Sequence, residues 1–409
     1  MTQGKSFSGI VVCAVVAFLF SSTAFARSTS TTKTTTAKKS GHVTESPAAR
    51  RRLARVRHSR RPVVRNASLH TRHRYYEHFT TSSFANDITA GDITAGEDPI
   101  VRQAAIDALG NMNGTMVALD PATGRILAMV NQKLALSEGA QPCSTIKVAV
   151  ALAALSENVI APETPIKLGR YTSVNLTTAL AKSNNAYFEA VGRRLGFRRV
   201  SYYAHQFGLG ELAGFNITGE HLGVFPSHEL DAKLGGVGKM CSYGESISMT
   251  PLQLGALIGA VANGGTLYYL QHPNTQEEVM DFQPRIKRQL EIGPLVPEIS
   301  TGMEGAVEYG TARSLRLNFN EEQILGKTGT CSKDGTRFGW FASYANTHEG
   351  RIVTVLFLQG GRPTYGPKAA EITGRFYRGL YDHNFFATQA VSTTSRVLHP
   401  HASTAGAQQ

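Results

Sequence analysis

This chain of 409 residues has few cysteines and no hydrophobic run long enough to cross a membrane. The apolar run at residues 10–20 has 11 residues, whereas a transmembrane helix needs about 20. It follows Lys5 and precedes Ala24-Phe25-Ala26, which fits the small-residue pattern of a signal peptide cleavage site. Residues 1–26 are therefore predicted to be a signal peptide, with an uncleaved anchor as the alternative. Either interpretation predicts that the rest of the chain is exported.

Cysteine is scarce, with four residues in the chain, and Cys13 lies inside the predicted signal peptide. Cys143, Cys241 and Cys331 remain, and an exported chain lies where disulfides persist. Three cysteines allow three pairs, each of which leaves one free thiol. No histidine with an Asn or Asp partner stands at the spacing expected of a cysteine protease, so that class of enzyme is disfavoured.

Acidic residues are almost missing from residues 27–75, which hold 14 Lys and Arg against Glu45 alone. With Lys5 this stretch accounts for +14 against a total of +12, which leaves residues 76–409 at −2. The basic character thus belongs to one segment, and the overall charge gives no reason to expect a nucleic-acid partner. The segment is predicted to be a solvated spacer, and weak contact with anionic membrane or wall polymer is the alternative.

The composition divides the remainder of the chain into three parts. Residues 27–97 are rich in Ser, Thr, Lys and Arg and poor in large apolar residues, which predicts a disordered linker. Residues 387–409, rich in Ser, Thr, Ala and His, are predicted to be a disordered tail. Residues 98–386 form one body of a size that suits a single enzyme domain.

The order of predicted elements within the body indicates its fold class. Two strands at 116–119 and 125–130 come first, and three more at about 323–330, 337–345 and 351–359 come late. Apolar spacing and capping residues predict helices at about 144–157, 176–195, 198–207, 250–263, 298–312 and 367–382. This order predicts an α+β fold, an α/β/α sandwich with a five-stranded antiparallel sheet flanked by helices and an inserted all-helical subdomain.

The first candidate catalytic motif is Ser144-Thr145-Ile146-Lys147, at the start of an apolar helix. Residues three apart share a helix face, so Lys147 can reach the Ser144 hydroxyl. Burial among apolar neighbours is expected to lower the lysine pKa and provide a free amine as base. The alternative is a capping serine and a surface lysine. A Ser-x-x-Lys pattern arises easily by chance, since Ser30-Thr31-Thr32-Lys33 within the predicted linker also fits it.

Two further motifs follow in the chain. Ser183-Asn184-Asn185 offers a hydroxyl for proton relay and an amide for a substrate carbonyl, although a polar helix break explains it equally well. Lys327-Thr328-Gly329-Thr330 follows a strand. Lys327 and the Thr328 hydroxyl suit a carboxylate, Gly329 leaves space for substrate along the strand, and the Thr330 N–H suits an oxyanion. The three motifs in this order are typical of enzymes that form an acyl-serine.

Over residues 114–381 the chain resembles the transpeptidase domain of penicillin-binding proteins, most closely the class B enzymes. Beyond the three motifs, the resemblance rests on four segments, residues 116–129, 244–254 with 262–265, 338–341 and 366–370. It implies Ser144 as nucleophile and Lys147 as base, with Ser183 in proton transfer. The residues that it implies for substrate binding are Asn185, Lys327, Thr328, Gly329 and Thr330.

The resemblance also implies an activity and its partners. The expected reaction is attack on the D-Ala–D-Ala bond of a peptidoglycan stem peptide, with no metal and no cofactor, in the periplasm or on the outer face of the cytoplasmic membrane. β-Lactam antibiotics are the expected covalent inhibitors. Cys143 and Cys331 flank two motifs, so a bond from Cys143 to either Cys241 or Cys331 would stiffen the cleft.

Alternative functions share this chemistry. A D,D-carboxypeptidase differs only in using water as the acceptor, and the sequence does not decide between the two. A serine β-lactamase of class A would place the lysine motif much sooner than the 144 residues that separate Ser183 from Lys327. A β-lactam sensor would need a transmembrane region and a signalling partner in the same chain. Transpeptidase is therefore the favoured prediction.

Overall fold

The computed structural model describes residues 78–347 and 350–387. The predicted signal peptide, the predicted linker up to residue 77 and the tail from residue 388 lie outside the described residues. Among the residues that are described, no helix has the length and apolar character required to cross a membrane.

The elements follow one another in an order close to the predicted one. The helices are α1 Pro99–Leu109, α2 Gln132–Ala135, α3 Lys147–Ser156, α4 Leu176–Ala181, α5 Asn185–Leu195, α6 Phe197–Gln206, α7 Gly236–Tyr243, α8 Pro251–Asn263, α9 Gln276–Met280, α10 Val296–Glu308 and α11 Gly366–Asp382. The strands are β1 Gly114–Leu119, β2 Ile126–Val130, β3 Ile166–Lys167, β4 Ser173–Val174, β5 Thr266–Tyr268, β6 Ile286–Gln289, β7 Gln323–Lys333, β8 Thr336–Asn346 and β9 Arg351–Gly360.

The central sheet has five antiparallel strands in the order β2-β1-β9-β8-β7. The first hairpin, β1 and β2, therefore joins the C-terminal strands, and the helical segment from α2 to α10 is inserted between β2 and β7. Both features were predicted from the order of elements, and the predicted fold class is confirmed. The strand that carries the lysine motif, β7, lies at one edge of the sheet.

The sheet is buried on both faces. Successive side chains of a strand point to opposite faces, and in β1 Val117 and Leu119 belong to one hydrophobic cluster while Met116 and Ala118 belong to another. The first cluster joins the sheet to the inserted helices, including α3 and α8. The second joins it to the terminal helices α1 and α11. The result is the expected three-layer sandwich.

The middle of the chain differs from the prediction at one functional position. The helix expected over residues 176–195 is two helices, α4 and α5, separated by Lys182, Ser183 and Asn184. Ser183 has φ 55°, in the left-handed region, and Asn184 accepts a hydrogen bond from Tyr187 N–H at the start of α5 (2.9 Å). Polar side chains that bond to nearby backbone compete with helix continuation. The spacing of apolar residues, from which the single helix was predicted, does not reveal one residue with a left-handed backbone.

The ordered body begins before residue 98, where the predicted linker was expected to end. Residues 78–97 belong to the described structure, and within them Ile88 and Glu97 are buried. Thr80 N–H donates to the Gly335 carbonyl at the β7–β8 turn (2.9 Å). Composition averaged over residues 27–97 concealed this local packing, because the basic residues that dominate the average lie before residue 76.

Two buried carboxylates fasten this N-terminal segment to the body. Arg102 donates to Asp92 at 2.9 Å and to Glu97 at 2.8 Å, and both carboxylate side chains are almost fully buried. Glu97 also lies 2.9 Å from His272 Nε2 and accepts from Met129 N–H at 2.9 Å. Arg102 is therefore the cation that offsets two buried negative charges.

We expect Arg102→Met to lower the free energy of unfolding by about 3–5 kcal/mol, because it leaves buried carboxylates without their cation. The exposed pair of Arg199 with Glu157 provides a matched control, and Arg199→Met should cost less than about 1 kcal/mol. Urea unfolding of the two variants measures the difference. Equal losses would show that the Arg102 cluster does not stabilise the body.

Candidate active site

Ser144 lies in a 3-10 turn, Cys143–Ile146, that leads directly into α3. The prediction began the helix at this serine, whereas the α-helix begins at Lys147. Thr145 anchors the turn, since its N–H and its hydroxyl both donate to the Pro142 carbonyl, at 3.1 and 2.7 Å. Cys143, Thr145 and Ile146 are buried while Ser144 is partly exposed. The turn thus presents the serine hydroxyl and hides its neighbours.

Lys147 is fully buried and lies at the centre of the site. Its Nζ is 2.5 Å from Ser144 Oγ, 2.7 Å from Asn185 Oδ1 and 3.3 Å from Ser183 Oγ. Burial, with a smaller contribution from the positive charge of Lys327, lowers the pKa of Lys147 to about 6, against a still smaller opposing effect of Glu189. At neutral pH the group is therefore mostly a free amine, as predicted.

The contacts of Lys147 suit a general base. A neutral amine has two N–H groups and one lone pair. Asn185 Oδ1 and Ser183 Oγ can each accept one N–H, which leaves the lone pair for the Ser144 hydroxyl. The nucleophile and its base thus lie within hydrogen-bonding distance, and a third group orients the base.

Ser183 is placed by the break between α4 and α5. Its left-handed backbone is uncommon for a residue other than glycine, and such conformations concentrate at functional sites. The hydroxyl contacts both lysines, since Lys147 Nζ is 3.3 Å away and Lys327 Nζ is 2.9 Å away. The serine therefore connects the first motif to the third.

Lys327 lies on the edge strand β7 and is fully buried. Besides Ser183, its Nζ donates to the Thr328 carbonyl at 3.1 Å. Burial lowers the pKa of Lys327 to about 7. Simultaneous protonation of Lys147 and Lys327, which both contact the Ser183 hydroxyl, is unfavourable, because like charges repel strongly where water is excluded. All three motifs thus meet around one serine hydroxyl.

Thr328, Gly329 and Thr330 continue along β7. Thr328 is buried and its Oγ1 lies 2.6 Å from Thr311 Oγ1, while Thr330 Oγ1 accepts from the N–H of Gly366 at 2.8 Å. A Cβ at Gly329 would lie 2.9 Å from the Pro142 carbonyl oxygen and 3.2 Å from the Thr145 methyl carbon. The absence of a side chain at Gly329 therefore lets the nucleophile turn pack closely against β7, and its place beside the substrate stays a prediction.

A disulfide joins Cys143 to Cys331, with Cα atoms 5.6 Å apart. It was one of the pairings left open by the sequence. The bond connects the residue before the nucleophile to the residue after Thr330, so it holds the serine turn against β7. Cys241 is a free, fully buried cysteine, and burial raises the pKa of its thiol to about 12.

Two residues at the site were not foreseen. Tyr243, the last residue of α7, accepts a hydrogen bond from Asn185 Nδ2 through its hydroxyl (2.7 Å), and its ring centre lies 6.0 Å from Lys147 Nζ. Thr311 contacts Thr328. Neither residue belongs to one of the three sequence motifs, and only the fold brings them to the site.

Within residues 78–347 and 350–387, no cluster of three or more His, Cys, Asp or Glu side chains is arranged to hold a metal ion. The lysine amines and serine hydroxyls of the site lie 2.5–3.3 Å apart, at or close to the distance at which protons pass between neighbouring heavy atoms.

A family model described as the penicillin binding protein transpeptidase domain matches residues 114–378. The chain belongs to this family. The matched region includes all three motifs, so the resemblance noted in the sequence is confirmed.

Relatives in this family are distant in sequence. The chain is 26% identical to stage V sporulation protein D of Bacillus subtilis over 64% of its own length and 48% of that protein. It is 23% identical to the peptidoglycan D,D-transpeptidase MrdA of Haemophilus influenzae, over 67% of its length and 54% of that protein. The match to penicillin-binding protein PbpB of Mycolicibacterium smegmatis has 27% identity and covers 63% and 47% of the two chains. The chain thus spans about half the length of these relatives.

Solved structures support the same fold. Pseudomonas aeruginosa PBP2, crystallised in complex with WCK 5153, superposes with a TM-score of 0.59 at 23% identity, covering 70% of this chain and 74% of that one. The D,D-transpeptidase domain of a peptidoglycan glycosyltransferase from Eggerthella lenta gives a TM-score of 0.57 at 20% identity, with 70% and 82% covered.

Replacing both Cys143 and Cys331 by serine should lower the free energy of unfolding by about 2–5 kcal/mol, because the unfolded chain gains conformational freedom. Chemical unfolding measures the loss, and a reducing agent should reproduce it in the unaltered protein. Cys241→Ala is the matched control, and its sensitivity to reductant should equal that of the parent. An unfolding curve unaffected by reductant would contradict a stabilising disulfide.

Proposed function

We propose that this chain is an exported penicillin-binding serine D,D-transpeptidase that acts on the D-Ala-D-Ala stem peptides of peptidoglycan through an acyl-Ser144 intermediate. One observation carries the proposal: a buried lysine amine with a pKa of about 6 lies 2.5 Å from Ser144 Oγ. The same amine contacts Ser183 and Asn185 of the second motif. Membership in the transpeptidase family supports the assignment.

In the first step Ser144 Oγ attacks the carbonyl carbon of the penultimate D-Ala, and its proton passes to Lys147 Nζ. The carbonyl oxygen takes the negative charge of the tetrahedral intermediate. The backbone N–H groups of Ser144 and Thr330 are the proposed oxyanion donors. Donors arranged before the reaction stabilise such charge strongly where water is excluded.

The leaving D-Ala nitrogen must then receive a proton. Ser183 Oγ contacts both Lys147 and Lys327. Its hydroxyl proton can therefore pass to the leaving nitrogen while Lys147 returns to Ser183 the proton that it took from Ser144. The C–N bond breaks, free D-Ala departs, and Lys147 is again a neutral amine. The net result is an acyl-serine without net consumption of protons.

Substrate is proposed to be held by the second and third motifs. Lys327 supplies positive charge for the terminal carboxylate, with the Thr328 and Thr330 hydroxyls as hydrogen-bond donors. The approach of a carboxylate raises the pKa of Lys327, which restores the charge that burial disfavours. Asn185 uses one Nδ2 hydrogen for Tyr243, and the other remains for a substrate peptide carbonyl.

The acyl-serine is proposed to react with the amine of a neighbouring stem peptide, which forms a cross-link and frees Ser144. Water in the place of that amine would give carboxypeptidase activity from the same site. β-Lactams would acylate Ser144 in the same way, with their leaving nitrogen still attached after the ring opens. The substrate lies outside the cytoplasm, which agrees with the predicted signal peptide. Contact of the basic segment with anionic membrane or wall polymer remains a separate prediction.

The test is to incubate the full chain with a fluorescent penicillin and to follow the covalent adduct over hours. The parent should form a stable adduct, and Ser144→Ala should form none because the nucleophile is missing. Lys147→Met should acylate about 10²–10⁴ times more slowly, since it removes the general base. Parent protein that forms no adduct would overturn serine acylation, and rapid turnover of the drug would identify a β-lactamase.

Adding a stem peptide that carries a free amine then distinguishes the two acceptors. Mass spectrometry should detect the cross-linked peptide as well as released D-Ala. Release of D-Ala without any cross-linked product would favour the carboxypeptidase assignment. Ser144→Ala should release none and serves as the control.

The second-order rate constant for acylation should depend on pH through the two buried lysines. Protonation of Lys147 blocks its action as a base, so the rate should fall about tenfold per pH unit below about pH 6. Above about pH 7 it should decline more gently, because Lys327 loses the charge that attracts the penicillin carboxylate. Stopped-flow fluorescence between pH 5 and 9 measures the profile, with circular dichroism as the control for folding. A rate that stays constant down to pH 5 would contradict Lys147 as the base.

A further inference from the structure

The turn that follows α10 connects the second motif to the third. Thr311 N–H donates to the carbonyl of Ala181, the last residue of α4, at 3.1 Å. A Cβ at Gly310 would lie 2.1 Å from that same carbonyl oxygen, so only glycine permits this approach. Ala181 lies two residues before Ser183. The backbone of Thr311 is thus fixed to the helix end that places the proton-relay serine.

The side chain of Thr311 reaches the third motif. Its Oγ1 lies 2.6 Å from Thr328 Oγ1, and the Thr328 side chain is almost completely buried. Gly366 packs against the same threonine so closely that a Cβ there would lie 2.9 Å from Thr328 Cβ. Thr328 therefore has little freedom, and Thr311 is its hydroxyl neighbour.

One proton of this hydroxyl pair lies between the two oxygens, and the direction of donation matters. If Thr328 donates to Thr311, the Thr328 oxygen offers only lone pairs to an approaching anion. If Thr311 donates, the Thr328 proton is free to point elsewhere. A carboxylate accepts hydrogen bonds only, so it favours the second arrangement.

We propose that Thr311 is a positioning residue that donates its hydroxyl proton to Thr328 and thereby turns the Thr328 proton toward the substrate's terminal carboxylate. This inference rests on the proposed role of Thr328 in carboxylate binding. Thr311 itself does not touch the reacting atoms. It connects the carboxylate subsite to the helix end beside Ser183.

We expect a substitution at Thr311 to leave the fold intact. Thr311 is partly exposed, and it borders a cavity of about 730 Å³ lined also by Arg313, Ser314, Leu317 and Pro367. Valine has nearly the shape of threonine without its hydroxyl, and a partly exposed side chain can shift to relieve the 2.6 Å contact with Thr328 Oγ1. Thr311→Val should therefore fold with an unfolding midpoint close to that of the parent.

The experiment compares penicillin G with its methyl ester, which lacks the carboxylate charge. Acylation of the full chain by penicillin G should slow about tenfold in Thr311→Val, the factor expected for one charge-assisted hydrogen bond. Acylation by the ester should change less than about twofold, and Thr311→Ser should restore the rate with penicillin G because it retains the hydroxyl. Thr301→Val, on the exposed side of α10, is the matched control and should behave as the parent does with both compounds.

Thr328→Val and the double variant complete the design. If the two hydroxyls act together, the double variant should be no slower than Thr328→Val alone, since coupled residues are not additive. A full rate for Thr311→Val with penicillin G, alongside a slow Thr328→Val, would overturn the inference and leave the proposed function intact. Equal slowing of Thr311→Val with both compounds would also overturn it, since that result indicates a general structural role. A Thr328→Val variant with no carboxylate-specific loss would overturn the proposed role of Thr328 together with the inference.

Discussion

The site depends on the burial of two lysine amines beside a single serine hydroxyl. Water would keep both amines protonated, and its exclusion lowers the pKa of Lys147 to about 6 and that of Lys327 to about 7. Burial accounts for the low pKa of Lys327, and the positive charge of Lys327 contributes to the low pKa of Lys147. The base, the proton relay and the anion-binding group are therefore one coupled unit around Ser183, rather than three independent motifs.

The fold supplies the exclusion of water. α3 is buried along nearly its whole length, so Lys147 enters the interior with the apolar residues that follow it. Lys327 is buried although β7 is an edge strand, because α10 and the turn that carries Ser144 pack against β7. Ser183 adopts a left-handed conformation at its position between α4 and α5. The cost of that backbone is of the order of 1–3 kcal/mol and must be offset by the surrounding packing.

The sheet and the main site residues were predictable from sequence because they leave local signals. Ser144 and Lys147 lie three residues apart at the start of an apolar helix, and the apolar strands carry their own pattern, so order and spacing were enough to select them as candidates. The break at Ser183, the contacts of Tyr243 and Thr311, and the choice of Cys331 as the partner of Cys143 depend on distances across the fold. Residues 78–97 were misjudged for a related reason: their fixed structure comes from long-range partners such as Arg102 rather than from their own composition.

The Cys143–Cys331 bond has a consequence for the integrity of the chain. It closes a loop with a sequence separation of 188 residues, and that loop contains the helices from α3 to α10. A protease that cut one peptide bond anywhere inside the loop would produce two polypeptides still joined by sulfur. The nucleophile and the lysine strand would remain tethered to each other in the nicked molecule, and separation of the pieces would require a reductant as well as a protease.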